Sequence, residues 1–160
     1  MPDESVPHFE GYLFDLDGTL VDTAPDLGLA LNEALNRNDF PVIPDEIVRD
    51  CVGQGARTML KQALSQVQRN PADEKFEETL SLFLDSYKKN LVIKSTPYDG
   101  VSKTLKILLN SGVFLAVVTN KLTEFTLPIL KKLDLLQYFQ TVICGDTASQ
   151  PKPSAAPLLM

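Results

Sequence analysis

The chain alternates short, mostly apolar runs with longer stretches whose apolar residues recur at helical spacing. Three runs are of the first kind: residues 12–16 (YLFDL), 113–119 (VFLAVVT) and 141–145 (TVICG). Each is too short for a helix, rich in β-branched or aromatic residues, and has a Gly or a polar residue at its end or directly after it. Each therefore predicts a buried strand. Ahead of the second run, DGVSKTLKILLNSG puts Val101, Leu105, Leu108 and Leu109 on one helical face, and Gly112 stops that helix. Between the second and third runs, LPILKKLDLLQYF carries Leu127, Leu130, Leu133 and Leu136 at the same period. Pro128 is expected in the first turn of that helix, where its missing N–H costs nothing. Strand, helix, strand, helix, strand is the signature of a parallel sheet with crossover helices.

Residues 22–94 break this alternation and hold no convincing strand. Leu27, Ala30, Leu31, Ala34 and Leu35 form one helical stripe; Phe76, Leu80, Phe83, Leu84 and Tyr87 form another, closed by Lys88 and Lys89. Between them, IVRDCVGQGARTMLKQALSQV reads as two short helices hinged at Gly53-Gln54-Gly55. The expected fold is α/β: a Rossmann-like parallel sheet, incomplete at its C-terminal side, with an α-helical insertion. The boundaries are 1–21 core, 22–94 helical insertion and 95–160 core continued.

Composition narrows the partners. A net charge of −6 with no block of Lys or Arg argues against nucleic acid. No apolar run approaches the ~20 residues of a membrane helix, and the acidic start MPDESVPHFEGY is unlike a targeting peptide. Cys51 and Cys144 stand alone, without a CxxC or a nearby partner His, and read as two reduced thiols. His8 reads as a surface residue. A cytoplasmic monomer or homodimer is the expectation.

The chemistry gathers where the predicted strands end, the place at which parallel sheets bind ligands. Asp15 and Asp17 flank Leu16 just past the first strand, and residues i and i+2 of an extended chain point to one side. Two carboxylates so close repel unless a cation lies with them, and a hard divalent ion such as Mg²⁺ suits oxygen ligands. Gly18 then permits a tight turn, and Thr19 adds a hydroxyl. A carboxylate beside such an ion attacks phosphorus, and a second acid protonates the leaving oxygen and later activates water. The same DxDG also suits a solvated turn after a strand. Thr119 and Asn120 end the second strand, where a hydroxyl and an amide can hold phosphate oxygens or simply start a helix. Lys152 stands between Pro151 and Pro153 after the third strand, and the restricted loop fixes where its charge lies.

With these features in chain order, the sequence resembles the haloacid dehalogenase superfamily of phosphatases. The first motif reads DLDGTLVDT, the second VVTN, and the third is the Lys of KPSAAP; the likeness runs from Tyr12 to Met160. The helical insertion resembles that superfamily's α-helical cap. Within it, DLDGTLVDTAPDL, VGQGA and VVTNK look most like the phosphoglycolate phosphatases. The resemblance implies Asp15 as nucleophile and Mg²⁺ ligand, and Asp17 as general acid/base that binds Mg²⁺ through its backbone carbonyl. This departs from the picture of two carboxylates flanking the metal. It further implies phosphoryl contacts from Thr119, Asn120 and Lys152, and a substrate-specificity loop at Gly53, Gln54 and Gly55. An Asp at position 17 points to a phosphatase or mutase, since dehalogenases carry an aromatic there and transport ATPases a Thr.

The expected substrate is a small phosphorylated metabolite, 2-phosphoglycolate first, with a sugar phosphomutase, a pyrophosphatase or a non-catalytic remnant as alternatives. The family's fourth motif, a Gly-Asp followed by another Asp, has no counterpart after Lys152. Asp146 precedes Lys152 and reads as a loop residue of the third motif rather than a metal ligand. Because the family's first strand is central, the expectation is that this strand lies at an apolar edge here, in an aggregation-prone chain of weak activity.

Overall fold

The computed structural model describes residues 9–70 and 72–160; His8 lies outside them. Three strands form a parallel sheet in the order β1-β4-β5: β1 (Gly11–Phe14), β4 (Phe114–Val118) and β5 (Thr141–Ile143). Register runs from Gly11 opposite Phe114 to Phe14 opposite Val117, and from Ala116 opposite Thr141 to Val118 opposite Ile143. The central strand explains its own sequence: Leu115, Ala116, Val117 and Val118 are all buried, as an apolar run covered on both faces requires.

β1 is an edge strand, as the expectation of an apolar edge has it, and is therefore less buried than its apolar run alone predicts. It pairs with β4 alone among the described residues, and Leu13 is 50% exposed. Its other side chains find aromatic neighbours, with Tyr12 stacked beside Phe14 and Phe14 edge-on to Phe139.

The segment between the first and second core strands is helical: α1 (Ala24–Arg37), α2 (Asp45–Asp50), α3 (Ala56–Gln66) and α4 (Asp73–Lys89). The apolar stripes read from the sequence meet here. Leu27, Leu31 and Leu35 of α1 and Leu80 and Phe83 of α4 are buried in one continuous core. Inside it, Asn38 donates to Thr79 Oγ1 at 3.0 Å, so these two buried polar groups satisfy each other.

Two features escaped the hydrophobic pattern. β2 (Val21–Asp22) and β3 (Thr96–Pro97) form a two-stranded antiparallel ribbon where the chain enters and leaves the helical segment. Two residues are too few for any periodicity to show. The second feature is α6 (Thr123–Lys132), which begins four residues before the LPILKK stripe and ends before Leu133. Pro128 is thus inside the helix rather than in its first turn. The early start has a cause in another loop: the Asp146 carboxylate accepts from the N–H (2.9 Å) and the hydroxyl (2.7 Å) of Thr123. An acceptor on an otherwise orphaned N–H at the positive end of a helix dipole fixes where that helix starts. α5 (Val101–Asn110) precedes β4 as expected, and Gly112, at φ +77°, follows it. No helix among the described residues is long and apolar enough to cross a membrane.

Candidate active site

Asp15 follows the last residue of β1, and its side chain is met by a lysine from the far end of the chain. Lys152 Nζ lies 2.9 Å from Asp15 Oδ2, while Asp15 Oδ1 accepts the N–H of Leu16 at 2.8 Å. Both side chains keep roughly a quarter of their surface open, at 26% for Lys152 and 29% for Asp15, so a ligand can reach the pair.

Asn120 builds the loop that carries this lysine. Its Oδ1 accepts the N–H of Lys152 at 2.8 Å, and its Nδ2 donates to the carbonyls of Lys152 and Gly53, both at 3.2 Å. One side chain therefore ties the strand end, the Lys152 loop and the glycine turn of the helical segment together. Its amide is committed to backbone. What it leaves for a ligand is its main-chain N–H, which has no acceptor among the described residues. Thr119 is buried, its N–H pairs with the Ile143 carbonyl at 2.9 Å, and its hydroxyl oxygen accepts from the Lys121 N–H at 3.2 Å. The hydroxyl proton stays available. Gly145 passes so near that a Cβ there would come within 2.9 Å of the Asn120 carbonyl carbon.

Asp17 has fixed partners of its own. Its carboxylate accepts the Lys121 ammonium on both oxygens, at 2.9 and 3.0 Å, and the Thr23 hydroxyl on Oδ1 at 2.6 Å. The pair is nearly closed to solvent, with 6% of Lys121 and 8% of Asp17 side chain exposed. Burial pushes the Lys121 ammonium down. The Asp17 carboxylate, with Tyr87 behind it, more than offsets that and holds the ammonium above its ordinary value. Lys121 also sits 4.8 Å from the centre of the Tyr87 ring. The Tyr87 hydroxyl is buried without a hydrogen-bond partner, and burial raises its pKa despite the nearby ammonium.

A cavity of about 300 Å³ opens between these groups and the helical segment. Asp17, Asn120 and Lys121 form its polar end; Leu27, Met59 and Phe83 are among its apolar walls. Gly53, Gln54 and Gly55 line it too. Gly53 and Gly55 have φ of +106° and +86°, a backbone that favours glycine, so the turn between α2 and α3 needs both.

Beyond geometry, residues 12–160 match the family of haloacid dehalogenase-like hydrolases. The chain belongs to that family. It is 38% identical over 148 residues to a phosphoglycolate phosphatase of Nitrosospira multiformis, covering 92% of this chain and 65% of that protein. An N-acetylmuramic acid 6-phosphate phosphatase of Pseudomonas aeruginosa is 36% identical over 92% of this chain and 64% of its own length. The crystal structure of a predicted phosphoglycolate phosphatase from Haemophilus somnus superposes with a TM-score of 0.85 at 33% identity, covering 94% of this chain and 69% of the other. The chain thus spans about two thirds of the length of these relatives.

The structure brings Asp15, Thr119, Asn120 and Lys152 to one end of the sheet, and Gly53 joins them through Asn120. Sequence reasoning missed Lys121, Thr23 and Tyr87. Lys121 directly follows Asn120, but nothing in a lone Lys after a strand says that it is buried on a carboxylate.

Proposed function

We propose that this chain carries the site of a Mg²⁺-dependent phosphatase for small phosphate monoesters, working through an aspartyl-phosphate on Asp15. The observation that supports this reading best is the Lys152–Asp15 pair at the carboxyl end of β1, beside the unused Asn120 N–H and Thr119 hydroxyl.

The donor chemistry fits a hard divalent cation. Asp15 offers a carboxylate, and the Asp17 carbonyl accepts no main-chain hydrogen bond among the described residues. No group of three His, Cys, Asp or Glu that could hold a metal occurs among those residues, so Asp15 and the Asp17 carbonyl are the ligands they would offer. The cation supplies charge neutralisation that lets one anion approach another.

The chain's own residues carry the steps. A carboxylate oxygen of Asp15 attacks phosphorus as the bond to the ester oxygen breaks, and Asp17 gives its proton to the departing alkoxide. Asp17 then takes a proton from water, which attacks phosphorus and returns Asp15 as a free carboxylate. Lys152 opposes the charge that builds on the phosphoryl oxygens, together with the Asn120 N–H and the Thr119 hydroxyl. Residues 22–94 act as a cap, with core at 1–21 and 95–160, and the Gly53–Gly55 turn selects the alcohol portion and excludes water.

The resemblance and the names of the relatives make 2-phosphoglycolate the first substrate to assay. A panel of phosphate monoesters with Mg²⁺, on the wild-type chain and on Asp15→Asn, tests the proposal. It is supported by turnover that vanishes in Asp15→Asn and overturned by turnover that survives it.

A further inference from the structure

Lys121 touches three parts of the molecule at once. Its backbone belongs to the strand end that carries Thr119 and Asn120. Its ammonium holds both oxygens of Asp17, and it rests on the ring of Tyr87 from α4. Tyr87 in turn packs against Phe125 of α6 with ring centres 5.3 Å apart, and the next residue, Lys88, pairs with Glu124 of α6 at 2.6 Å. Asp17 is also tied to Thr23, the residue ahead of α1 where the chain enters the helical segment.

This is an expensive arrangement for a merely structural purpose. A buried Lys–Asp pair gives up hydration that an apolar pair of the same volume would never have needed to lose. Its effect on Asp17 is specific. An ionised carboxylate has about four acceptor positions. Thr23 and Lys121 fill two on Oδ1, and Lys121 fills one on Oδ2. Oδ2 is left as the oxygen with room for a further proton.

We propose that Lys121 is the positioning residue of Asp17: with the Tyr87 ring behind its ammonium, it presents Oδ2 to the ester oxygen. This rests on the phosphatase reading above and deepens it.

Leaving groups separate positioning from general damage. An alkyl phosphate needs a proton on its departing oxygen, whereas 4-nitrophenyl phosphate releases 4-nitrophenolate, a stable anion that needs little help. The parameter kcat/KM covers only the steps through departure of the alcohol. Lys121→Met is expected to lower kcat/KM for ethyl phosphate about ten-fold more than for 4-nitrophenyl phosphate, within the range of a general acid's contribution. Lys121→Arg recovers part of that difference. Should Lys121→Met fail to fold, Tyr87→Leu, which keeps the ion pair, shows the same preference at smaller size. Equal losses on the two esters, with wild-type turnover intact, overturn the inference and leave the phosphatase reading standing. A wild-type chain that hydrolyses neither ester overturns that reading, and the inference with it.

Discussion

Lys152 and Asp15 meet at 2.9 Å although they come from opposite ends of the chain, and the contact is partly open to solvent. A half-open ion pair contributes about 1 kcal/mol or less to stability. Its value in this account is chemical, and the two roles predict different things. Lys152→Met should leave the unfolding midpoint in urea nearly unchanged while turnover falls about 10²- to 10³-fold, the usual loss when a transition-state charge partner is removed. A large stability loss with modest kinetic change would reverse that assignment.

Asp26 predicts the opposite pattern. It is buried at the start of α1 and accepts the N–H groups of Ile93, Lys94 and Ser95 and the Ser95 hydroxyl, all between 2.6 and 3.1 Å. One carboxylate therefore holds the strand of chain leaving α4 against the first turn of α1. Asp26→Ala orphans the two buried donors of Ser95, each costing about 1–3 kcal/mol, and frees the part-buried N–H groups of Ile93 and Lys94. Urea denaturation should show a loss of about 3 kcal/mol or more; a change below about 1 kcal/mol would mean that solvent replaces these bonds freely.

Gly145 has no conformational need to be glycine, since its φ is not positive. Its constraint is contact: a Cβ would run into the Asn120 carbonyl. Gly145→Ala must push the Asn120 loop aside, and Asn120 anchors Lys152 and Gly53. Weaker binding of inorganic phosphate by calorimetry is expected. Unchanged affinity would show that the loop yields without moving its donors.

Asp146 gives a pH dependence. The Thr123 hydroxyl holds this carboxyl below its ordinary value near 3.8; burial opposes it, and the Thr123 N–H adds a smaller pull in the same direction as the hydroxyl. Its folded pKa is thus lower than its unfolded one. The stabilisation is complete above the unfolded value and is lost as pH falls through the folded one. Asp146→Asn should therefore narrow the gap between wild type and variant as pH drops from 6 towards the acid range, from about 1 kcal/mol at the start. A gap independent of pH would show that the charge of Asp146 does not matter to α6.

The sheet and helices were legible because their signals are local. A run such as VFLAVV is apolar on both faces because β4 is central, and the stripe from Leu27 to Leu35 is apolar because it faces α4. The placement of the candidate residues was legible where motifs follow strands: Asp15 comes directly after β1 and Thr119 directly after β4, and Lys152 from the loop beyond β5 meets Asp15. What stayed hidden depends on distant partners. Lys121 and Asp17 pair across the fold, Asp26 caps a segment far along the chain, and the two-residue ribbon of β2 and β3 has no period to read. Pro128 was misplaced because the start of α6 is set by Asp146, a residue from the next loop. The role of Asn120 differs in kind, since its side chain fastens two loops and leaves its N–H for a ligand.

The central claim is that Asp15 receives the phosphoryl group covalently. An acid-quenched reaction with a phosphate monoester and Mg²⁺, reduced with borohydride and digested, tests it directly by mass spectrometry. The peptide containing Asp15 is expected to carry homoserine at that position, the reduction product of an aspartyl-phosphate, with Asp17 unchanged. Continued consumption of the ester with Asp15 unmodified, or a phosphoryl group trapped on any other residue, would contradict it.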